Sequence, residues 1–170
     1  MYLTTTLEEL AWEFVPSGGN WTLYRLYEFN SNGGIYGMLA GLTVGPGGNL
    51  YGGITLGGPV VFELSPSNGG WTYSTLYTFS STGPSANLVM DSAGNLYGTT
   101  LGDEEDGSYG SVFKLTPSNG SWTYTDLHDF TNGSDGGYPY SSVLIDAAGN
   151  LYGTASTGGS GNGVVWEITP

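Results

Sequence analysis

Four segments of this chain share one pattern: an aromatic ring, a charge, an apolar residue, a variable residue and proline. They are WEFVP ending at Pro16, FELSP at Pro66, FKLTP at Pro117 and WEITP at Pro170, so the prolines fall 50, 51 and 53 residues apart. A Gly/Asn/Ser turn and a Trp-Thr segment follow the first three: NWTLYRLYEF (20–29), GWTYSTLYTF (70–79) and SWTYTDLHDF (121–130). A third shared element lies between them, LTVGPGGNLYGGI (42–54), LVMDSAGNLYGTT (88–100) and VLIDAAGNLYGTA (143–155). A period of about 50 residues marks a supersecondary unit that buries its apolar faces by stacking on its neighbours.

Each unit reads as four short strands. Strand a is an apolar run such as 87–90, a tight DSAGN turn leads to strand b (LYGTT), strand c is SVFKL, and strand d is WTYTDLHDF. Alternation of period two, β-branched and aromatic enrichment, and Gly/Asn/Pro punctuation support strands throughout. The fold class is therefore all-β and β-propeller-like, made of four-stranded antiparallel repeats with a innermost and d outermost. A β-sandwich is the alternative, and it accounts less well for the constant spacing. The organisation is one repeat domain over 1–170: a partial repeat at 1–30, repeats at 36–80 and 85–130, and a partial repeat at 138–170.

Composition limits what such a scaffold binds. Two basic residues, Arg25 and Lys114, stand against fifteen acids, a formal charge of −13 in 170 residues. Phosphate binding needs clustered Lys and Arg, so nucleic acid and anionic lipid are disfavoured, while cations and neutral ligands are not. Cysteine is absent, which removes disulfides and thiol chemistry. No apolar run is long enough to span a bilayer, and MYLTTTLEEL lacks the basic and apolar regions of a signal peptide.

The core "DAAGNLYGTT…G.VFKL.P", with "LY.F" closing the unit, resembles the bacterial GloVer-type tandem repeat over nearly the whole chain, in about three and a half copies. The resemblance implies a secreted or surface-anchored bacterial protein, typically a long array whose sorting signal lies elsewhere. It brings no catalytic residues. The second unit departs from the pattern, because Gly45 and Pro46 stand where Asp91–Ser92 and Asp146–Ala147 stand later.

The strand count leaves two arrangements. Either four blades form, the first lacking strand a (YLTTT serving as b) and the last lacking d, or strand d at 21–29 pairs with the C-terminal sheet. Open strand edges make self-association, a homo-oligomer, a live expectation.

Several single residues have scaffold explanations. His128, the only histidine, matches Tyr27 and Tyr77 when counted from the Trp, so the column carries a ring in every copy. Asp91 and Asp146 suit turn chemistry, their carboxylates accepting the turn's own N–H groups. Trp21, Trp71 and Trp122 recur in one position, which suggests packing between blades over sugar stacking. Lys114 aligns with Glu13, Glu63 and Glu167, which reads as a solvent-facing column. No nucleophile elbow, zincin motif, P-loop or Cys/His metal spacing is present, so no enzyme is expected.

The variable loops are where specific function is expected. In a four-stranded blade the b–c and d–a connections share one face. The acidic loop 101–110 and the d–a loop 131–140 then converge. Asp103, Glu104, Glu105 and Asp106 are the candidate metal ligands, for Ca²⁺, and Tyr109, Asp135, Tyr138 and Tyr140 the candidate ligand-binding set, for a glycan. Binding or assembly at the bacterial surface is the expected function. A structural array without a ligand is the alternative, and a glycoside hydrolase or lyase using loop carboxylates is a further one.

Overall fold

The computed structural model describes residues 2–5, 10–29, 40–103 and 105–170; of residues 2–5 only the backbone is considered. Among these residues fourteen strands form four antiparallel sheets, each in simple order along the chain. The first sheet contains β1 (Tyr2–Thr5), β2 (Leu10–Ser17) and β3 (Asn20–Glu28). The second contains β4 (Thr43–Val44), β5 (Leu50–Ile54), β6 (Val60–Ser67) and β7 (Gly70–Thr78). The third repeats it with β8 (Val89–Met90), β9 (Leu96–Thr99), β10 (Ser111–Ser118) and β11 (Ser121–Asp129). The fourth has β12 (Leu144–Ile145), β13 (Leu151–Ala155) and β14 (Val164–Ile168). Helical structure among the described residues is confined to a 3₁₀ turn at Pro46–Gly48.

Period two in the sequence becomes two-sided burial in space. In β6, Phe62 and Leu64 pack toward the first sheet with Ala11 and Phe29, while Val61 packs toward the third with Leu96, Phe113 and Leu115. One sheet further on, Phe113 faces back and Val112 faces forward onto Leu151 and Trp166. Each apolar cluster therefore bridges two successive sheets, as between the blades of a propeller. The c–d pairs carry a register shift at the same place in the three sheets that have both strands, after Ala11, Val61 and Val112. The hairpin β10–β11 turns at Asn119 and Gly120, both with positive φ (48° and 83°), the twist-matched geometry for a two-residue connection.

The glycine of each NLYG motif is explained by space. Gly52, Gly98 and Gly153 lie opposite the ring of strand c in register: Phe62, Phe113 and Trp166. A Cβ at these positions would fall 2.5, 2.7 and 2.2 Å from the respective ring. Each ring thus occupies the space that a Cβ would need.

The two readings of the strand count separate clearly. β3 pairs with β2 over its whole length, so it does not complete the C-terminal sheet. Among the described residues, β14 pairs with β13 alone. Among the described residues the first sheet holds strands b, c and d, and the fourth holds a, b and c.

Candidate functional site

The a–b turns are networks that close on themselves. The Asp91 carboxylate accepts from Ala93 N and Asn95 N (both 2.9 Å), Asn95 Nδ2 (2.7 Å) and Tyr97 Oη (3.0 Å). Asp146 repeats the set with Ala148, Asn150 and Tyr152 at 2.8–3.1 Å. Burial alone would push the Asp91 carboxyl up, but the donated hydrogen bonds outweigh it and hold it below the ordinary aspartate range. Asp146 is held down chiefly by the Asn150 side chain. Burial, reinforced by Asp91, pushes the Tyr97 phenol up to about 12. These carboxylates are occupied as turn acceptors.

The second unit solves the same problem differently. With Gly45 in place of Asp, Asn49 Nδ2 and Tyr51 Oη donate instead to Glu63 Oε1, at 2.5 and 2.9 Å. A Cβ on Gly45 would meet Tyr51 Cε2 at 2.4 Å, so an aspartate there requires the ring to move. The column expected to face solvent is therefore partly engaged. Glu63 and Lys114 are half-buried, and Lys114 Nζ lies 5.5 Å from the centre of the Tyr97 ring; Glu167 is exposed but accepts from Tyr152.

The tryptophan column also divides. Trp71 packs on the first interface cluster, and Trp122 packs on the second with its ring edge on Tyr51 at 6.1 Å. Trp21 is 63% exposed. Trp122 of the third sheet rests on strand b of the second. No sheet precedes the first among the described residues to receive Trp21 in that way.

On the variable-loop face the structure brings some expected residues together and separates others. Tyr138 N donates to Tyr109 O (2.7 Å), and the two rings meet edge to face at 5.7 Å, so the 101–110 and 131–140 loops do touch. Two of the loop acids engage the Ser81 hydroxyl of the preceding d–a segment. Ser81 Oγ donates to Asp106 Oδ2 at 2.7 Å and lies 3.3 Å from Asp103 Oδ2. Asp103 Oδ1 accepts from Glu105 N (3.0 Å), and Glu105 is exposed. Glu104 lies outside the described residues. Among the described residues no three His, Cys, Asp or Glu side chains form a group able to hold a metal ion. Two carboxylates on one hydroxyl supply few of the six to eight oxygens that Ca²⁺ takes.

Asp135 belongs to its own turn. It accepts from Thr131 Oγ1 (2.5 Å), Thr131 N (2.9 Å) and faces His128 Nε2 at 3.1 Å. The Thr131 hydroxyl leads the causes that hold its carboxyl low. His128 also sets its ring edge on Phe130 at 5.0 Å, as Tyr27 does on Phe29 and Tyr77 on Phe79. Thr131, the hydroxyl of this cluster, is bonded to the aspartate, not to the imidazole, the wrong end for activating a nucleophile. Tyr140 is 57% exposed on the same face.

The residues that sequence reasoning missed are the hydroxyls of the 80–82 segment. A cavity of about 300 Å³ between the second and third sheets is lined by Ser80, Ser81, Thr82, Ser108 and Asp106, with the stacked rings of Tyr77 and Tyr124 in its wall. Thr82 Oγ1 donates to Leu101 O and Leu101 N to Gly83 O (3.1 Å), tying the two loops that form its mouth. Burial, then the Asp126 charge, pushes the Tyr124 phenol up to about 12, so it stays a neutral hydroxyl. The signal was the run Ser80-Ser81-Thr82, which the other d–a segments lack.

Sheets of three or four antiparallel strands, repeated at a fixed period and packed face to face, define an all-β repeat protein. The chain belongs to the Gloeobacter/Verrucomicrobia repeat family, whose profile matches residues 9–170. No curated protein matches it.

Proposed function

We propose that this repeat module binds a neutral, polyhydroxylated ligand, a glycan, on its variable-loop face, in the cavity between the second and third sheets. The observation that carries the reading is the chemistry of that cavity, in which serine and threonine hydroxyls and one carboxylate surround a small space walled by tyrosine rings. Such groups exchange hydrogen bonds with sugar hydroxyls, and the rings offer apolar surface to a pyranose face. The charge of −13 favours a neutral ligand over an anionic one.

Binding without cleavage is the better match. Glycoside hydrolysis needs two carboxyls at a set separation, one kept protonated by burial. Asp103 and Asp106 instead gather on one hydroxyl in a surface loop. We place the module at the bacterial surface, the setting that the repeat resemblance implies; fractionation of the producing cells tests this.

A neutral-glycan array followed by calorimetry tests the function. The expected result is a hit whose affinity falls about tenfold or more with Asp106→Asn, which replaces a charged acceptor by a neutral amide, or with Ser81→Ala, which removes a hydroxyl. Absence of any neutral-glycan hit, or affinities untouched by both substitutions, would sink the proposal. Release of new reducing ends during the same incubation would move it to an enzyme.

A further inference from the structure

Tyr138 holds a backbone conformation that tyrosine rarely adopts. Its φ is +54°, in the left-handed region, and it precedes Pro139, a place where the chain is normally kept extended. Such a residue costs folding free energy and persists only where its surroundings fix it. They do so here. Tyr138 N donates to Tyr109 O (2.7 Å), Ser156 N and Oγ donate to Tyr138 O (3.2 and 3.1 Å), and Ser85 Oγ donates to Pro139 O (2.6 Å).

The repeat itself shows that the fold needs no side chain at this place. Counted from the proline, Gly83 before Pro84 is the matching residue, and Leu101 N donates to Gly83 O (3.1 Å) as Ser156 N does to Tyr138 O. Gly83 makes that bond without positive φ, and a Cβ on it would fall 2.3 Å from Ile54 O. A side chain in this column therefore needs a different backbone. Tyr138 has one, and it delivers the ring to the variable-loop face, edge to face with Tyr109 at 5.7 Å. Tyr140, two residues on, is 57% exposed on that face. The carboxylate of the same loop, Asp135, stays on Thr131 and His128, so the rings carry no free charge beside them. Loop 101–110 links this group to the cavity described above: Ser108 lines the cavity, and the next residue, Tyr109, meets Tyr138.

We propose that Tyr109, Tyr138 and Tyr140 form a second sugar subsite, so that the ligand of this face is a neutral oligosaccharide chain lying across the 101–110 loop. One unit occupies the cavity, and a later unit lays its apolar face on the tyrosine rings. The subsite rests on the glycan reading of the cavity and extends it from a single sugar to a chain. Strain at Tyr138 is then retained for binding, because a ring on this column is reached only through the left-handed backbone.

Neutral gluco-, manno-, galacto- and xylo-oligosaccharides of two and of six units are the probes, titrated by calorimetry into the full chain. In a series that binds, the six-unit sugar is expected to bind about fivefold or more tighter than the two-unit sugar. Tyr138→Gly and Tyr140→Ala should each remove most of that gain and leave the two-unit affinity unchanged. Tyr138→Gly also relieves the strained side chain, so its melting temperature should stay within about 3 °C of the parent's. Equal affinity for both lengths overturns the subsite while the cavity reading stands, and so does a length effect that both variants keep. A clearly larger fall in melting temperature for Tyr138→Gly makes the ring a packing residue and overturns the subsite as well. Failure of every series to bind at either length overturns the cavity reading and the subsite with it.

Discussion

Replacing Gly98 by alanine isolates the reason for the glycine in the repeated NLYG motif. Its Cβ would lie 2.7 Å from Phe113 Cζ and 2.8 Å from Leu88 Cδ2, both buried. Gly98 does not have positive φ, so backbone strain is not the issue. Restricting the unfolded backbone by Gly→Ala contributes about 0.5–1 kcal/mol of stability. Forcing a methyl into a packed interface costs about 1–3 kcal/mol. The difference runs from near zero to about 2.5 kcal/mol, and with both contacted side chains buried a net loss of about 1 kcal/mol is expected, or roughly 2–4 °C in melting temperature for a chain of this size. Urea unfolding at pH 7 measures it, provided that the m-value is unchanged. Phe113→Leu shortens the ring and makes room for the methyl, so Gly98→Ala/Phe113→Leu should be less damaging than the two losses combined, by about 1 kcal/mol. Gly70→Ser is the control: a Cβ there meets nothing within 4 Å, and Ser121 holds the position in the next unit. It should change stability by less than about 0.5 kcal/mol. A Gly98→Ala variant as stable as the parent, or strictly additive with Phe113→Leu, would refute the steric explanation.

Other outcomes follow from the same geometry. Asp91, Asp135 and Asp146 are held below the ordinary aspartate range in the folded chain. Each contributes stability that is fully present above the unfolded value of about 3.9 and lost as pH falls through the lower folded value. Unfolding midpoints should hold steady from neutral pH to about 4.5 and drop below it; a flat profile down to about pH 2 contradicts the assignment. Asp126 works in the other direction, raised first by burial and then by the Asp129 charge. Its ionised form subtracts stability at neutral pH, so Asp126→Asn should raise the urea midpoint at pH 7 and give no gain below about pH 3. Trp122→Ala should cost about 2 kcal/mol through its contact with Tyr51, whereas Trp21→Ala should stay within about 0.5 kcal/mol, and equal losses would argue against the packing account. Glu63→Ala leaves Asn49 and Tyr51 without their shared acceptor and should cost about 1–2 kcal/mol by denaturant titration, with Glu63→Gln recovering part of it.

The sequence by itself determined the unit and its internal order. Spacing of the prolines, period-two alternation and the Asn-Gly and Asp-x-x-Gly-Asn turns are local features, and local chemistry sets strand type, hairpin geometry and register. It also determined that Asp91 and Asp146 are turn acceptors and that His128 occupies a ring column, because a repeat supplies its own internal comparison. The partner of β3 was not legible: two were consistent with its pattern, and only the assembled sheets show it on β2. The acidic loop shows the same limit. Asp103 and Asp106 share a face with Tyr138, yet they turn to Ser81, because the partner of a loop side chain depends on how neighbouring sheets bring distant segments together. Glu63 replacing the absent aspartate is a cross-strand contact, 14 residues away from Asn49 in sequence.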